Sequence, residues 1–285
     1  MNTRPSRRKV MALAAAALAC PTLARASEPL RLGLTPVFLD NDAEVLGRLR
    51  AALSEGTGRE IDLVQRRTYQ EITGLVLEGA VDAAWTCGYP YLQHEDAFSL
   101  IGVPVWQGRP LYQSYLITAP DDPATALADL KGGSHTFSDP DSNSGWLVTA
   151  SDLARMRLHV DTFFGRTIFA YGHRNVVRSV AGGLTRSGSV DGYVWEALTV
   201  VEPALTARTK VISKSELLGF PPFVARTDRM TSEVVASCRN ALLGLSGTAS
   251  GKAALELLQL DGVVPGSSDL FDGIRSRMND LAALK

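Results

Sequence analysis

The stretch FSDPDSNSGWL, residues 137–147, sets a proline, two aspartates, three serines and an asparagine directly before an apolar run. Upstream, HTF at 135–137 reads as a short strand. Downstream, Leu147, Val148, Ala150 and Leu153 recur at helical spacing, so the polar segment is a strand-to-helix turn. Ser142 or Asn143 has the chemistry of an N-cap, because its side-chain oxygen accepts from the first free backbone N–H groups of a helix. Ser142, Asn143 and Ser144 in succession supply more small polar groups than one cap requires, and a helix N-terminus with spare donors suits an oxyanion. The segment by itself is compatible with both roles.

Working outward, strands alternate with helices. LRLGLT (30–35), EIDLVQ (60–65) and AAWTC (83–87) read as strands, with helices over Ala43 to Leu53 and Tyr69 to Leu77 between them. Such alternation predicts a parallel sheet covered by helices. FSLIGVPV (98–105) and YQSYLITA (112–119) read as further strands, and a crossing to a second lobe is expected near 117–120. A second α/β series follows: HTFS, a helix from Ser144, RTIFAYG (166–172), a helix after His173, and VDGYVW (190–195) read as a strand. PPFVART (221–227) returns, and the remainder reads as helical over 231–245, 248–259 and 268–283. The expected organisation is α/β with two lobes, 27–117 together with 222–285 and 118–221 alone, joined by two crossings around a cleft.

The first 26 residues combine a basic start, an apolar run from Val10 to Ala19, and Ala24-Arg25-Ala26 before Ser27, the pattern of a cleaved export signal. Arg7-Arg8 resembles a twin-arginine signal. Cys20 invites a lipoprotein reading, which the well-formed site after Ala26 opposes. Cleavage removes five of the 29 basic residues and none of the 30 acidic ones, leaving a net charge of about −6. That balance argues against nucleic acid or an anionic membrane as partner, so an anion would be captured by local donors. Cys87 and Cys238 remain, in a compartment that permits a disulfide between them, and neither has zinc-site spacing. No metal or cofactor is expected.

Several segments together carry a family resemblance: GLTPVF after the first strand, the tyrosine of RTYQEI, DAAWTCGYPYLQ, the SDPDSNSGW turn, the histidine of AYGHRNVV, and VDGYVWEAL. In this order they resemble the PhnD-like periplasmic binding proteins for phosphate, phosphite and phosphonate, over essentially the whole mature chain. The resemblance implies a type II periplasmic-binding-protein fold that closes like a venus flytrap on a small oxyanion. It also implies a periplasmic monomer whose partner is an ABC permease or a sensor kinase in the inner membrane. Cys87 departs from many phosphonate binders and is similar to a cysteine in oxyanion-sensing relatives, which keeps arsenite open as an alternative ligand.

The resemblance marks Tyr69, Ser142, Asn143, Ser144 and His173 as ligand-contacting. Tyr69 otherwise reads as a helix-start aromatic, and His173 as a structural histidine whose protonated form would donate to an anion. Cys87 and Tyr89 end the third strand beside the cleft. Trp195 and Glu196 follow VDGYVW, where Tyr and Trp also fit a core strand and Glu196 suits a protonated ligand oxygen or an ammonium group. An enzyme would need Cys87 and His173 to act as a nucleophilic pair. With no nucleophile elbow, metal spacing or paired carboxylates, a binding protein is expected and not an enzyme.

Overall fold

The computed structural model describes residues 28–36 and 43–284; the expected signal segment 1–26 and the part of GLTPVF at 37–38 lie outside them. Strands occur at β1 (Leu30–Leu34), β2 (Ile61–Gln65), β3 (Ala83–Trp85), β4 (Phe98–Val105), β5 (Leu111–Tyr112), β6 (Ser114–Thr118) and β7 (Ser134–Phe137). They continue as β8 (Arg166–Phe169), β9 (Ser187–Asp191), β10 (Lys210–Lys214), β11 (Leu218–Gly219), β12 (Phe223–Arg226) and β13 (Gly262–Val264).

The strands form two main sheets. One runs β13-β4-β12-β3-β1-β2, the other β10-β6-β9-β7-β8. In the first, β1 lies parallel to β2 and β3, while β12 and β13 return antiparallel. In the second, β7 is parallel to β8 and β9, and β6 is antiparallel to β9 and β10. The two passages of the chain between sheets run side by side as the antiparallel β5–β11 ladder.

Local chemistry accounts for these elements. Leu30, Leu32 and Leu34 are fully buried in β1, as expected for a strand covered by helices on both faces. The helix Ala43–Thr57 buries Val45, Leu49, Ala52 and Leu53, one stripe at helical spacing. Thr68 starts the helix Tyr69–Leu77 with a complete capping box to Glu71. A second apolar cluster, with Leu116, Leu130, Phe137, Leu153, Phe163 and Phe164, forms under the other sheet.

Three expectations change. VDGYVW is not one strand: β9 ends at Asp191, whose Oδ1 accepts the N–H groups of Tyr193 (2.9 Å) and Val194 (3.3 Å) and caps the helix Gly192–Val201. Gly192 permits the switch, since a Cβ there would lie 2.7 Å from the Gln113 carbonyl oxygen. Ser114–Thr118 already pairs within the second sheet, so the chain changes sheet at the β5–β11 ladder, ahead of 117–120. The tail is not wholly helical, because Gly262–Val264 adds to β4 at the edge of the first sheet; three residues are too short for a period to show.

Candidate functional site

The carboxyl ends of β1, β3, β7 and β9 and the starts of five helices, at Tyr69, Gly88, Asn143, His173 and Gly192, converge between the sheets, the usual ligand position in α/β folds. On the first-lobe side stand Tyr69, at the head of its helix, and Cys87, two residues beyond β3. On the second stand the 138–145 turn after β7, His173 at the head of the helix His173–Ala181, and Asp191 at the end of β9.

The turn is held from within. Ser142 is the cap: its Oγ accepts the Gly145 N–H at 2.9 Å. Gly145 must be glycine, because a Cβ would sit 1.8 Å from Ser138 Oγ. Asn143 to Leu147 form a π-helical turn that continues into the helix Val148–Arg155. Asn143 Nδ2 donates to the Tyr112 hydroxyl at 2.9 Å, and the Ser114 hydroxyl donates to the Ser144 carbonyl at 2.6 Å. Three side-chain atoms of this turn are buried without a close hydrogen-bond partner, Ser138 Oγ, Asn143 Oδ1 and Ser144 Oγ, and of these the Ser144 hydroxyl faces Asp191 and Tyr112. Buried polar atoms are ordinarily paired, so such a cluster calls for a missing partner.

Contacts across the cleft close around it. The Tyr69 backbone N–H donates to Asp139 Oδ2 (3.2 Å), the Asn143 N–H donates to Cys87 Sγ (3.3 Å), and Tyr69 Oη lies 3.2 Å from His173 Nε2. At the rim, the Arg67 guanidinium stacks over the Tyr171 ring, 4.8 Å from its centroid.

Burial sets the protonation states. His173 Nδ1 accepts the Asp191 backbone N–H at 3.0 Å, so the ring hydrogen resides on Nε2 and donates to the Tyr69 oxygen. Burial lowers its pKa to about 3. His173 is therefore a neutral ring, and the expectation of a cationic donor titrating with the surroundings is corrected: desolvation removes the charge. Burial raises Cys87 to about 11, opposed by backbone N–H groups from Tyr89 and Asn143. The sulfur is a thiol at neutral pH and pairs with Asn143, not with His173. Asp191 is raised to about 8, again by burial and against the two N–H groups that it caps and the Ser144 hydroxyl. No Lys or Arg belongs to the described cluster of Tyr69, Cys87, Tyr112, Asp139, Ser142, Asn143, Ser144, His173 and Asp191.

Of the residues expected from sequence, the structure thus brings together Tyr69, Cys87, Ser142, Asn143, Ser144 and His173. Tyr89 stands half-buried at the edge, near Asp141 of the turn. Trp195 and Glu196 are elsewhere. Trp195 Nε1 donates to Thr209 Oγ1 (3.1 Å), and Glu196 accepts from the Tyr115 hydroxyl (2.9 Å). Glu196 lines a separate cavity of about 380 Å³ with Trp106, Arg109 and Lys214. Helical rotation after Asp191 turns both side chains away from the cleft. Sequence reasoning missed Tyr112, Asp139 and Asp191. An aspartate before glycine at a strand end was a readable cap signal for Asp191; Tyr112 carried no local signal.

This architecture has known counterparts. The profile of the family described as ABC transporter, phosphonate, periplasmic substrate-binding protein matches residues 32–271. The chain belongs to this family. As a phosphonate-type periplasmic substrate-binding protein it is a transport component and not an enzyme. No match is found among curated proteins. Among solved structures it is similar to a binding protein component of an ABC phosphonate transporter from Pseudomonas aeruginosa (TM-score 0.82, 22% identity, 90% of this chain and 89% of that one). PhnD1 from Prochlorococcus marinus, in complex with methylphosphonate, follows at TM-score 0.77 and 18% identity, covering 89% of this chain and 98% of that one. The alkanesulfonate-binding protein SsuA from Xanthomonas axonopodis pv. citri, bound to MOPS, reaches 0.61 at 16% identity, over 90% and 93%. At these identities the likeness establishes the fold alone, the two-lobed type II form.

Proposed function

We propose that this phosphonate-type binding protein holds a phosphonate, phosphite or phosphate anion on the 138–144 turn and delivers it to an ABC permease. The observation that carries the reading is the pair of Ser138 and Ser144 hydroxyls without a close partner at a helix start, beside Asn143 Oδ1, which can only accept, from a protonated ligand oxygen. Tyr69 adds a donor. Its oxygen takes the His173 Nε2–H, which leaves the hydroxyl hydrogen for the anion. Asp191, protonated at neutral pH, is a further donor, and once ionised an acceptor for a ligand P–OH. Cys87 forms a wall, Ser142 serves as the cap, and Trp195 and Glu196 belong to the region beside the crossing. Several hydrogen bonds to a charged oxyanion at about 1.5–3 kcal/mol each reach micromolar affinity without a cationic side chain.

The protein works as a periplasmic monomer, exported through the twin-arginine pattern at Arg7-Arg8. Its lobes move as units about the β5–β11 ladder and close by hinge motion. Titration calorimetry with methylphosphonate, phosphite, phosphate, 2-aminoethylphosphonate and arsenite tests the ligand class, and small-angle scattering tests closure. Micromolar or tighter binding of a phosphorus oxyanion with a smaller radius of gyration is expected. Absence of heat with every phosphorus compound would overturn the reading.

A further inference from the structure

We propose that Arg277, outside the anion site, is a positioning residue that fixes the anion turn relative to the chain crossing; this rests on the reading of 138–144 as the anion site.

The C-terminal helix Asp272–Ala282 packs both on the helix Gly88–Gln93 of the first lobe and on the helix Val148–Arg155 of the second. Its beginning sits on the first. Phe271 packs its ring against Tyr91, and Arg275 makes a two-pronged pair with Glu95. Its middle sits on the second lobe and on the crossing, and Arg277 makes that connection with a side chain only 2% exposed. Nη1 donates to the Val148 carbonyl (3.1 Å), Ser151 Oγ (2.8 Å) and Asp152 Oδ1 (2.8 Å). Nε donates to Glu216 Oε1 at 2.8 Å, and Nη2 donates to Glu216 Oε2.

The positions of these partners give the contact its meaning. Val148, Ser151 and Asp152 lie in the first turns of the helix that continues directly from the anion turn, whose Asn143 and Ser144 are four or five residues upstream of Val148. Glu216 lies between β10 and β11, on the second passage between the sheets. One planar guanidinium thus ties the base of the anion turn to the crossing about which the lobes move, and a rigid fork meets several fixed acceptors where a lysine would meet one. A displacement of the helix Val148–Arg155 moves Asn143 and Ser144 against Tyr69 and Cys87.

The geometry also makes the residue testable. The Asp152 and Glu216 side chains are 37% and 46% exposed, so removing the guanidinium leaves both carboxylates in water and not stranded in the interior. Removing one partner of an ion pair is most costly when the other is left buried and uncompensated, which the exposure of Asp152 and Glu216 avoids.

The experiment compares the full mature chain with Arg277→Met, Arg277→Lys and Arg275→Gln, using methylphosphonate in calorimetry and stopped-flow release. Arg277→Met should bind about three- to thirtyfold more weakly, mostly through faster release. Arg277→Lys should recover only part of the loss, and Arg275→Gln should stay within about twofold of wild type. If Arg277→Met fails to fold, Asp152→Asn and Glu216→Gln cut the two arms separately, and each should weaken binding. A wild type that binds no phosphorus oxyanion would end the reading of the site, and this inference with it. A binding wild type whose folded Arg277→Met variant matches it within twofold, or whose Asp152→Asn and Glu216→Gln variants both match it, would leave the site standing and remove Arg277 from it.

Discussion

The Tyr69 hydroxyl and the His173 imidazole meet across the cleft, with Oη 3.2 Å from Nε2. The direction of this bond follows from its far end: Nδ1 already accepts the Asp191 N–H, so the imidazole donates and the phenol keeps its own hydrogen to donate elsewhere. A neutral histidine here orients a donor and brings no charge of its own.

Replacing Tyr69 with phenylalanine removes that donor while retaining the ring. Affinity for methylphosphonate should fall about tenfold to a hundredfold, the worth of a hydrogen bond to a charged group. Calorimetry at pH 7 reads the loss, and an unchanged Kd would place the anion away from Tyr69.

Ser142 and Ser144 should separate. The Ser142 hydroxyl caps the helix, whereas that of Ser144 has no close partner and faces Asp191 and Tyr112. Ser142→Ala should lower stability by about 1 kcal/mol, the usual worth of a cap. Ser144→Ala should leave urea unfolding nearly unchanged and weaken anion binding about tenfold or more. The reverse pattern would assign the free donor to the wrong serine.

Asp191 gives the unfolding equilibrium a pH dependence whose sign can be worked out. Its pKa is about 8 in the folded chain and about 3.9 in the unfolded one. Its stabilising contribution is therefore full below pH 4 and is lost as pH rises through 8. Asp191→Asn keeps the capping oxygen and removes the titration. The stability of the variant relative to wild type should rise between pH 4.5 and 7.5 by up to roughly 1 kcal/mol per pH unit. His135 and His173, both held near 3 by burial, act with the opposite sign, losing stability as pH falls below about 6.5, and are common to both proteins. A pH-independent difference in urea unfolding would show that Asp191 is ionised in the folded state.

Cys87→Ser distinguishes ligand chemistries. The sulfur accepts backbone N–H groups from Asn143 and Tyr89 and stays protonated at neutral pH, and a serine oxygen accepts equally well. Phosphonate affinity should remain within about threefold, since a thiol is a weak partner for an oxyanion. Heat with arsenite alone, abolished in the variant, would instead reveal a soft ligand bonded to sulfur.

Much of the architecture was legible in the residue order. The leucines of β1, the Thr68–Glu71 box before Tyr69, and the small polar run before Leu147 are local patterns, and local patterns decide strand, helix and cap because the backbone repeats every two or 3.6 residues. Their alternation predicted two α/β units and a cleft at the strand ends, and Tyr69, Cys87, Ser144 and His173 come together there. Tertiary structure alone decided the rest. Whether Ser142 or Ser144 keeps a free hydroxyl depends on how the turn folds against Ser138 and Tyr112. The proton on His173 depends on Asp191, 18 residues away, and Arg277 reaches Asp152 and Glu216 across 125 and 61 residues. Trp195 and Glu196 left the cleft because Asp191 capped a helix where alternation had suggested a strand. Periodicity reports which face of an element is apolar, but burial, pairing and protonation are properties of groups brought together by the fold, and no spacing along the chain encodes them.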